Sequence, residues 1–200
     1  MPDPSTPRGR GTKARIVALA AALMYERGVS AVSIDDILMA SGTGKGQFYH
    51  YFAGKDELVS EVLRRQLDLV LDEQRLFALD SWQGIHAWLE AMVGLQENRR
   101  RFRGCPLGSV ASQAAEQGEQ MRGRAAEAFT RWESPLADGL RTMQTSGLLR
   151  TDSDPESLAE GTIALVQGGY VLSAIKRHGR PMRSAVAAAE HYLESFAFPG

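Results

Sequence analysis

The sequence predicts an all-α fold of about nine helices, and three observations carry that prediction. Apolar residues recur at three- and four-residue spacing along nearly the whole chain, the repeat that builds one buried stripe on a helix. No segment sustains strict apolar–polar alternation, and no Asn-Gly or Asp-Gly pair is flanked by alternating segments as a hairpin turn would be. Punctuation between the apolar stretches is that of helix ends: Ser33, Gly28, Gly147 and Asp154-Pro155 are start or stop residues at sensible distances.

Taken in order, Thr12 can cap a first helix carrying Ile16, Leu19, Ala20, Leu23 and Met24, with Gly28 as its left-handed stop. Ser33 caps a short second helix, and Asp35 and Asp36 in its first turn favour the helix dipole. Ile34, Ile37 and Leu38 face its core side, and Ser41-Gly42 ends it. Thr43 is the expected cap of a third helix whose inner side is Phe48 and Phe52, closed by Ala53-Gly54. A longer fourth helix is expected from about Lys55 to Phe77, with Leu58, Val62 and Leu69 in one row and Val59, Leu63, Leu67 and Val70 in a second.

The fifth runs from about Trp82 to Arg101 with Ile85, Trp88, Leu89, Met92 and Leu95. Gly104-Cys105-Pro106 breaks the chain before a short sixth helix bearing Leu107, Val110 and Ala114. The seventh, about Gln120 to Ser146, carries Phe129, Trp132, Leu136, Leu140 and Met143, and Pro135 should bend it by removing one hydrogen bond. Asp154-Pro155 opens an eighth helix with Leu158, Thr162, Leu165, Val166, Leu172 and Ile175. The last, about Met182 to Phe196, shows Val186, Ala189, Leu193 and Phe196. There is no internal repeat.

Composition narrows the function classes. With 200 residues and 44% apolar content the chain can build a core. No uninterrupted apolar run approaches the ~18 residues of a membrane span, so no membrane partner is expected. The opening Met1-Pro2-Asp3-Pro4-Ser5-Thr6-Pro7 lacks the apolar stretch of a secretory signal, which points to the cytoplasm. A single cysteine, Cys105, provides neither an internal disulfide nor a cysteine-based zinc site. His50, His86, His178 and His191 show no metal-ligand spacing, and no glycine-rich phosphate loop follows a strand. Neither an enzyme nor a cofactor or metal site is expected. Residues 1–55 hold seven basic side chains against four acidic ones, a local +3 that leaves −4 for the remainder of a chain whose net charge is −1. Local positive potential is what phosphates feel, so a basic end on an acidic body suits a DNA partner.

The two short helices joined at Ser41-Gly42-Thr43 are too short to be stable alone and make sense packed on the first helix as a three-helix unit. A helix-turn-helix offers its second helix to the major groove, N-terminal residues nearest the base edges. Here that helix reads Gly44-Lys45-Gly46-Gln47-Phe48-Tyr49-His50-Tyr51-Phe52. Phe48 and Phe52 point inward, which leaves Lys45, Gln47, Tyr49, His50 and Tyr51 largely outside. Gly44 and Gly46 each cost about 1 kcal/mol of helix propensity, and bare backbone there could approach DNA closely.

Residues Val32 to Leu58 resemble the DNA-binding segment of the TetR family of regulators. The matching elements are Ser33-Ile34-Asp35-Asp36-Ile37, Gly42, Gly46-Gln47-Phe48-Tyr49-His50-Tyr51-Phe52 and Lys55-Asp56-Glu57-Leu58. The resemblance implies phosphate contacts at Tyr49, Tyr51, Lys55 and Ser33, the last also favoured by helix-end physics, and base-facing positions at Lys45, Gly46, Gln47 and His50, with Thr43 and Gly44 completing the site. His50 stands where a different aromatic residue is commoner. The basic segment Arg8-Gly9-Arg10-Gly11-Thr12-Lys13 resembles the arms that reach a minor groove.

The same resemblance implies that residues 1–54 form the DNA-binding domain and 55–200 an effector-binding and dimerisation domain, the partners being a double-stranded operator, a small apolar effector and a second copy. Helices eight and nine are apolar on more than one side, and Gly168-Gly169 could permit close helix contact, both consistent with a homodimer. Trp88, Met92, Leu107, Val110, Phe129 and Trp132 could line an apolar pocket, with Gln167 to orient a ligand, or could simply be core. Gly104-Cys105-Pro106-Leu107-Gly108-Ser109 looks like a stretch found in a subset of these repressors, some tied to drug, flavonoid or electrophile response. Arg99, Arg100, Arg101 and Arg103 just upstream would favour thiolate at Cys105, which is either a ligand-site and sensor residue or a buried packing residue. An effector-independent DNA-binding protein is the alternative.

Overall fold

The computed structural model describes Pro4, residues 6–97 and residues 104–198. Among them run nine helices: α1 Pro7–Arg27, α2 Ile34–Ser41, α3 Lys45–Tyr51, α4 Lys55–Gln74, α5 Trp82–Glu97, α6 Pro106–Ala115, α7 Glu119–Thr145, α8 Pro155–Lys176 and α9 Arg180–Glu194. The one extended pairing among the described residues is an isolated bridge between Leu149 and Ala197. The fold is all-α, as the periodicity predicts.

Local chemistry explains most boundaries. Gly28, Gly42 and Gly147 all adopt positive φ at helix ends. Asp154 caps α8 by accepting from the Glu156 N–H, with Pro155 at its first turn. Two expected caps are displaced. α1 starts a turn and a half before Thr12: Thr6 is the cap, accepting from the Gly9 N–H at 3.1 Å, with Pro7 behind it. Thr43 does not cap α3; it is buried, and Gly44 takes the cap position with no side-chain hydrogen bond.

The chain forms two compact units, one of residues 1–69 with 106–128, the other of 70–105 with 129–200. The division between these compact units falls inside α4 and α7. In the first unit α1 packs on α2 and α6, around Ile16, Ala20, Met24, Ile37, Phe48 and Phe52. Lys13 of α1 is itself buried and donates to Glu61 Oε1 of α4 at 3.0 Å.

In the second unit α8 and α9 form an extensive contact, and α5 packs on α9. Gly169 makes the first possible: a Cβ there would stand 2.7 Å from Ala185 Cβ and 2.9 Å from Met182 Sδ. Gly168 faces open space. The backbone of residues 78–80 is seated on two more glycines, since a Cβ on Gly84 would overlap the Ala78 carbonyl and one on Gly139 that of Leu79. By length and composition α8 alone among the described helices could cross a membrane, but its buried face is spent on protein, including Leu158, Ile163, Val166 and Tyr170.

Candidate DNA interface and effector site

The reading head begins with a reciprocal cap. Ser33 Oγ accepts from the Asp36 N–H at 3.1 Å, and Asp36 Oδ2 accepts from the Ser33 N–H at 2.8 Å and from its hydroxyl. These hydrogen bonds hold the Asp36 carboxyl below the usual aspartate value. Ser33 is therefore exposed but committed to its own helix. Gly42, at φ +62°, turns the chain into α3.

α3 is anchored by aromatic packing. Phe48 and Phe52 are fully buried with ring centroids 5.1 Å apart, and Tyr49 sets its ring edge-on to Phe48 at 5.3 Å. Lys45, Gly46, Gln47, Tyr49 and His50 all face solvent. Tyr51 does not: it is 7% exposed, against the expectation that it lies outside. It follows Phe48 by three residues, which puts both on one helix face, and its hydroxyl stands 3.6 Å from where a Gly9 Cβ would lie. Lys45 Nζ lies 3.3 Å from Asp35 with both groups well exposed, so the pair leaves the lysine available. Lys55 Nζ donates to the Ser30 carbonyl at 3.4 Å, tying the start of α4 to the α1–α2 loop.

The basic segment Arg8 to Lys13 is helical, part of α1, and not an extended arm. The Lys13 ammonium is withdrawn into its pair with Glu61. Burial pushes the Glu61 carboxyl up, but hydrogen bonds from Arg64 and Lys13 outweigh it and leave the group below its ordinary value.

Of the expected effector residues, Trp88, Met92, Cys105, Phe129, Trp132 and Gln167 belong to the second unit, whereas Leu107 and Val110 belong to the first. Trp88, Met92, Cys105 and Trp132 are buried, and Phe129 sets its ring 5.8 Å from that of Trp132. Arg99, Arg100, Arg101 and Arg103 lie outside the described residues, so their relation to Cys105 does too. Burial, then the charge of Glu160, raises the Glu133 carboxyl on the same helix as Trp132. Several buried polar atoms of this unit have no hydrogen-bond partner, among them Gln74 Nε2 and Oε1, Trp132 Nε1 and Gln167 Nε2. An unpaired buried donor costs about 1–3 kcal/mol, which marks these atoms for explanation.

Open cavities of the second unit lie elsewhere. A groove of about 900 Å³ runs along α8 and α9, lined by Leu165, Gly168, Leu172, Pro181, Ala185 and Tyr192 among others. On and beside it Val171, Leu172 and Ile175 are 52%, 46% and 70% exposed, an apolar patch on one helix. A second cavity, of about 530 Å³, lies between the end of α4, the loop after it and α7.

A short anchored helix with polar groups outward, entered from a capped partner helix through a left-handed glycine, is a helix-turn-helix. Residues 16–62 match the family of bacterial regulatory proteins of TetR type, and residues 81–188, just over half of the chain, match the C-terminal domain of LmrA/YxaF-like transcriptional regulators. The chain belongs to the TetR family of transcriptional regulators. It is similar to the HTH-type transcriptional repressor DhaR of Mycobacterium sp. (strain GP1), with 25% identity over 168 residues that cover 80% of this chain and 81% of DhaR. A TetR regulator from Chloroflexus aurantiacus superposes with a TM-score of 0.82 over 98% of this chain and 100% of its own, at 23% identity. A transcriptional regulator from Saccharomonospora viridis, solved with choline, gives a TM-score of 0.71 at 25% identity, covering 95% of this chain and 99% of that one.

Proposed function

We propose that this chain is a ligand-responsive repressor that binds a palindromic operator as a homodimer in the cytoplasm and leaves it when a small apolar effector binds. The observation that carries the reading is the outer face of α3, where Lys45, Gln47, Tyr49 and His50 are exposed above a fully buried Phe48 and Phe52. Such a face can enter a major groove while its helix stays fixed to the protein. Lys45, Gly46, Gln47 and His50 read bases; Tyr49 and Lys55 meet phosphates, Lys55 by giving up its hydrogen bond to Ser30. Buried Tyr51 steadies the helix and reaches DNA through its hydroxyl alone. Ser33, Thr43 and Gly44 shape the turn and offer backbone. Residues 1–54 are the reading part, and 55–200 sense and dimerise.

The name of DhaR supports repression, and the choline complex of the Saccharomonospora protein supports binding of a small molecule. In this reading the chain is one of the subset of the family that carries a stretch like Gly104-Cys105-Pro106-Leu107-Gly108. Trp88, Met92, Cys105, Phe129 and Trp132 of the second unit receive the effector. Two reading helices about one DNA turn apart, ~34–36 Å, fit successive grooves, so a change of a few ångströms releases one half-site.

Genomic fragments retained by the purified protein supply the operator for a test. Lys45→Ala and Gln47→Ala should relax base preference, each by about 1–3 kcal/mol at one position, whereas Lys55→Ala should weaken every sequence alike. Uniform losses for all three variants would overturn the assignment of α3. Retention of the operator in the presence of every compound from an apolar library would instead leave an effector-independent binder.

A further inference from the structure

Two orphaned donors of the second unit, Trp132 Nε1 and Gln167 Nε2, lie on consecutive helices, α7 and α8; a further one, Gln74 Nε2, lies at the end of α4 beside its equally unpaired Oε1. α7 and α8 turn back on each other: Arg141 pairs with Glu156, and Gln144 Nε2 donates to the Ser153 carbonyl at 2.9 Å. Counting from the Arg141–Glu156 contact at about 1.5 Å per residue, Trp132 lies roughly 13.5 Å back along α7 and Gln167 roughly 16.5 Å along α8. The two residues therefore stand at similar distances from the turn that joins α7 to α8. Each has its donor nitrogen shut off from solvent and unpaired. Phe129 sets its ring 5.8 Å from that of Trp132, and Val166 and Tyr170, near Gln167 in sequence, are buried on α8.

Evolved cores pair such donors unless something else is meant to pair them. Indole N–H is a donor only, and the carboxamide NH₂ likewise donates. An oxygen with two lone pairs can accept from both, whereas a cation or another donor would leave them worse off. We propose that Trp132 Nε1–H and Gln167 Nε2–H are the polar contacts of the effector site, so that the effector is an apolar molecule carrying a carbonyl-type acceptor oxygen. This rests on the effector-site reading above and specifies its chemistry. A purely hydrocarbon ligand fills the space without relieving either donor, and a quaternary ammonium has nothing to offer them.

Benzophenone and diphenylmethane test this directly, because they share two rings and differ in a bridging carbonyl against a methylene. Binding of each to the full-length protein is measured by equilibrium dialysis, with Trp132→Phe and Gln167→Met alongside the parent chain. The ketone should bind at least tenfold more tightly than the hydrocarbon, although water holds the ketone more strongly. Each variant should bring that ratio to within about threefold, mainly by weakening the ketone. Equal binding of the two compounds by the parent chain, or a ratio that neither variant changes, overturns the acceptor proposal while leaving an apolar effector site standing. Binding of neither compound overturns both. Gln167→Met keeps the test decisive where Trp132→Phe fails to fold, since it removes one donor and preserves the apolar stem.

Discussion

A methyl group at position 46 should separate folding from reading. Gly46 lies inside α3 with ordinary backbone geometry, and a Cβ there would meet no atom within 4 Å. Helix propensity alone then predicts that Gly46→Ala stabilises the protein by up to about 1 kcal/mol. If the bare backbone of α3 is what approaches DNA, the same methyl group keeps the helix out of the groove. A higher urea midpoint with at least tenfold weaker operator binding is the expected pair of results; stronger folding with unchanged binding would assign Gly46 no role in reading. Asp36 offers a second residue-scale measurement. Its carboxyl sits below the usual aspartate value because of Ser33, so it contributes stability that is present above roughly pH 4 and lost as pH falls through its lowered folded value. Asp36→Asn should flatten the acid limb of a stability-against-pH profile, and an unchanged limb would show that the reciprocal cap carries no such linkage.

At the scale of elements, the tie between α6 and the α1–α2 loop is the clearest device in the first unit. Gln113 Oε1 accepts from the Val29 N–H at 2.8 Å, and its Nε2 donates to the Ser109 carbonyl one turn back, which fixes the amide's orientation. Gly28 precedes that contact at φ +95°, and a Cβ on it would stand 2.9 Å from Gln113 Oε1. Gln113→Ala should cost about 1 kcal/mol and speed hydrogen exchange at the Val29 amide. Gly28→Ala should do the same through strain and collision, and the double variant should lose less than the two together because both break one contact. Full additivity would mean that the two substitutions act on separate things. This tie could not be read from the sequence, since its partners are 84 residues apart. What was legible was local: Phe48 and Phe52 as the anchor, Gly42 as the turn, Asp154-Pro155 as a start. The misplaced start of α1 was legible too. Thr6-Pro7 carries the same cap-then-proline signal that Asp154-Pro155 carries, although apolar periodicity begins only after Thr12. The burial of Tyr51 escapes a stripe drawn through positions four apart, Phe48 and Phe52, because Tyr51 is the residue three from the first. The glycines under residues 78–80 gave no warning, because only the tertiary neighbour shows that a Cβ is forbidden.

For the whole molecule the open question is copy number, and charge and apolarity bear on it together. A reading end with a local charge of only +3 binds phosphates weakly through one copy, and counterion release from two copies on one operator roughly doubles the salt dependence of binding. The apolar patch on α8 supplies a reason for two copies to associate. Val171, Leu172 and Ile175 are exposed on a helix whose other face is already spent on α9, and a groove of about 900 Å³ lies beside them. A helix apolar on both faces either binds a partner or invites aggregation. Ile175, at 70% exposed, has no place in the core of this chain, so Ile175→Glu should leave monomer stability within about 0.5 kcal/mol of the parent. A charge buried in a contact between two copies is expensive, so the same substitution should convert a dimer to monomers in sedimentation velocity at micromolar concentration. Operator binding should then fall by orders of magnitude on a palindrome but hardly at all on a single half-site, because each reading head is intact and only the second, tethered event is lost. A variant that stays dimeric with full palindrome affinity would place the subunit contact on another face of the molecule and leave the α8 patch to a different partner.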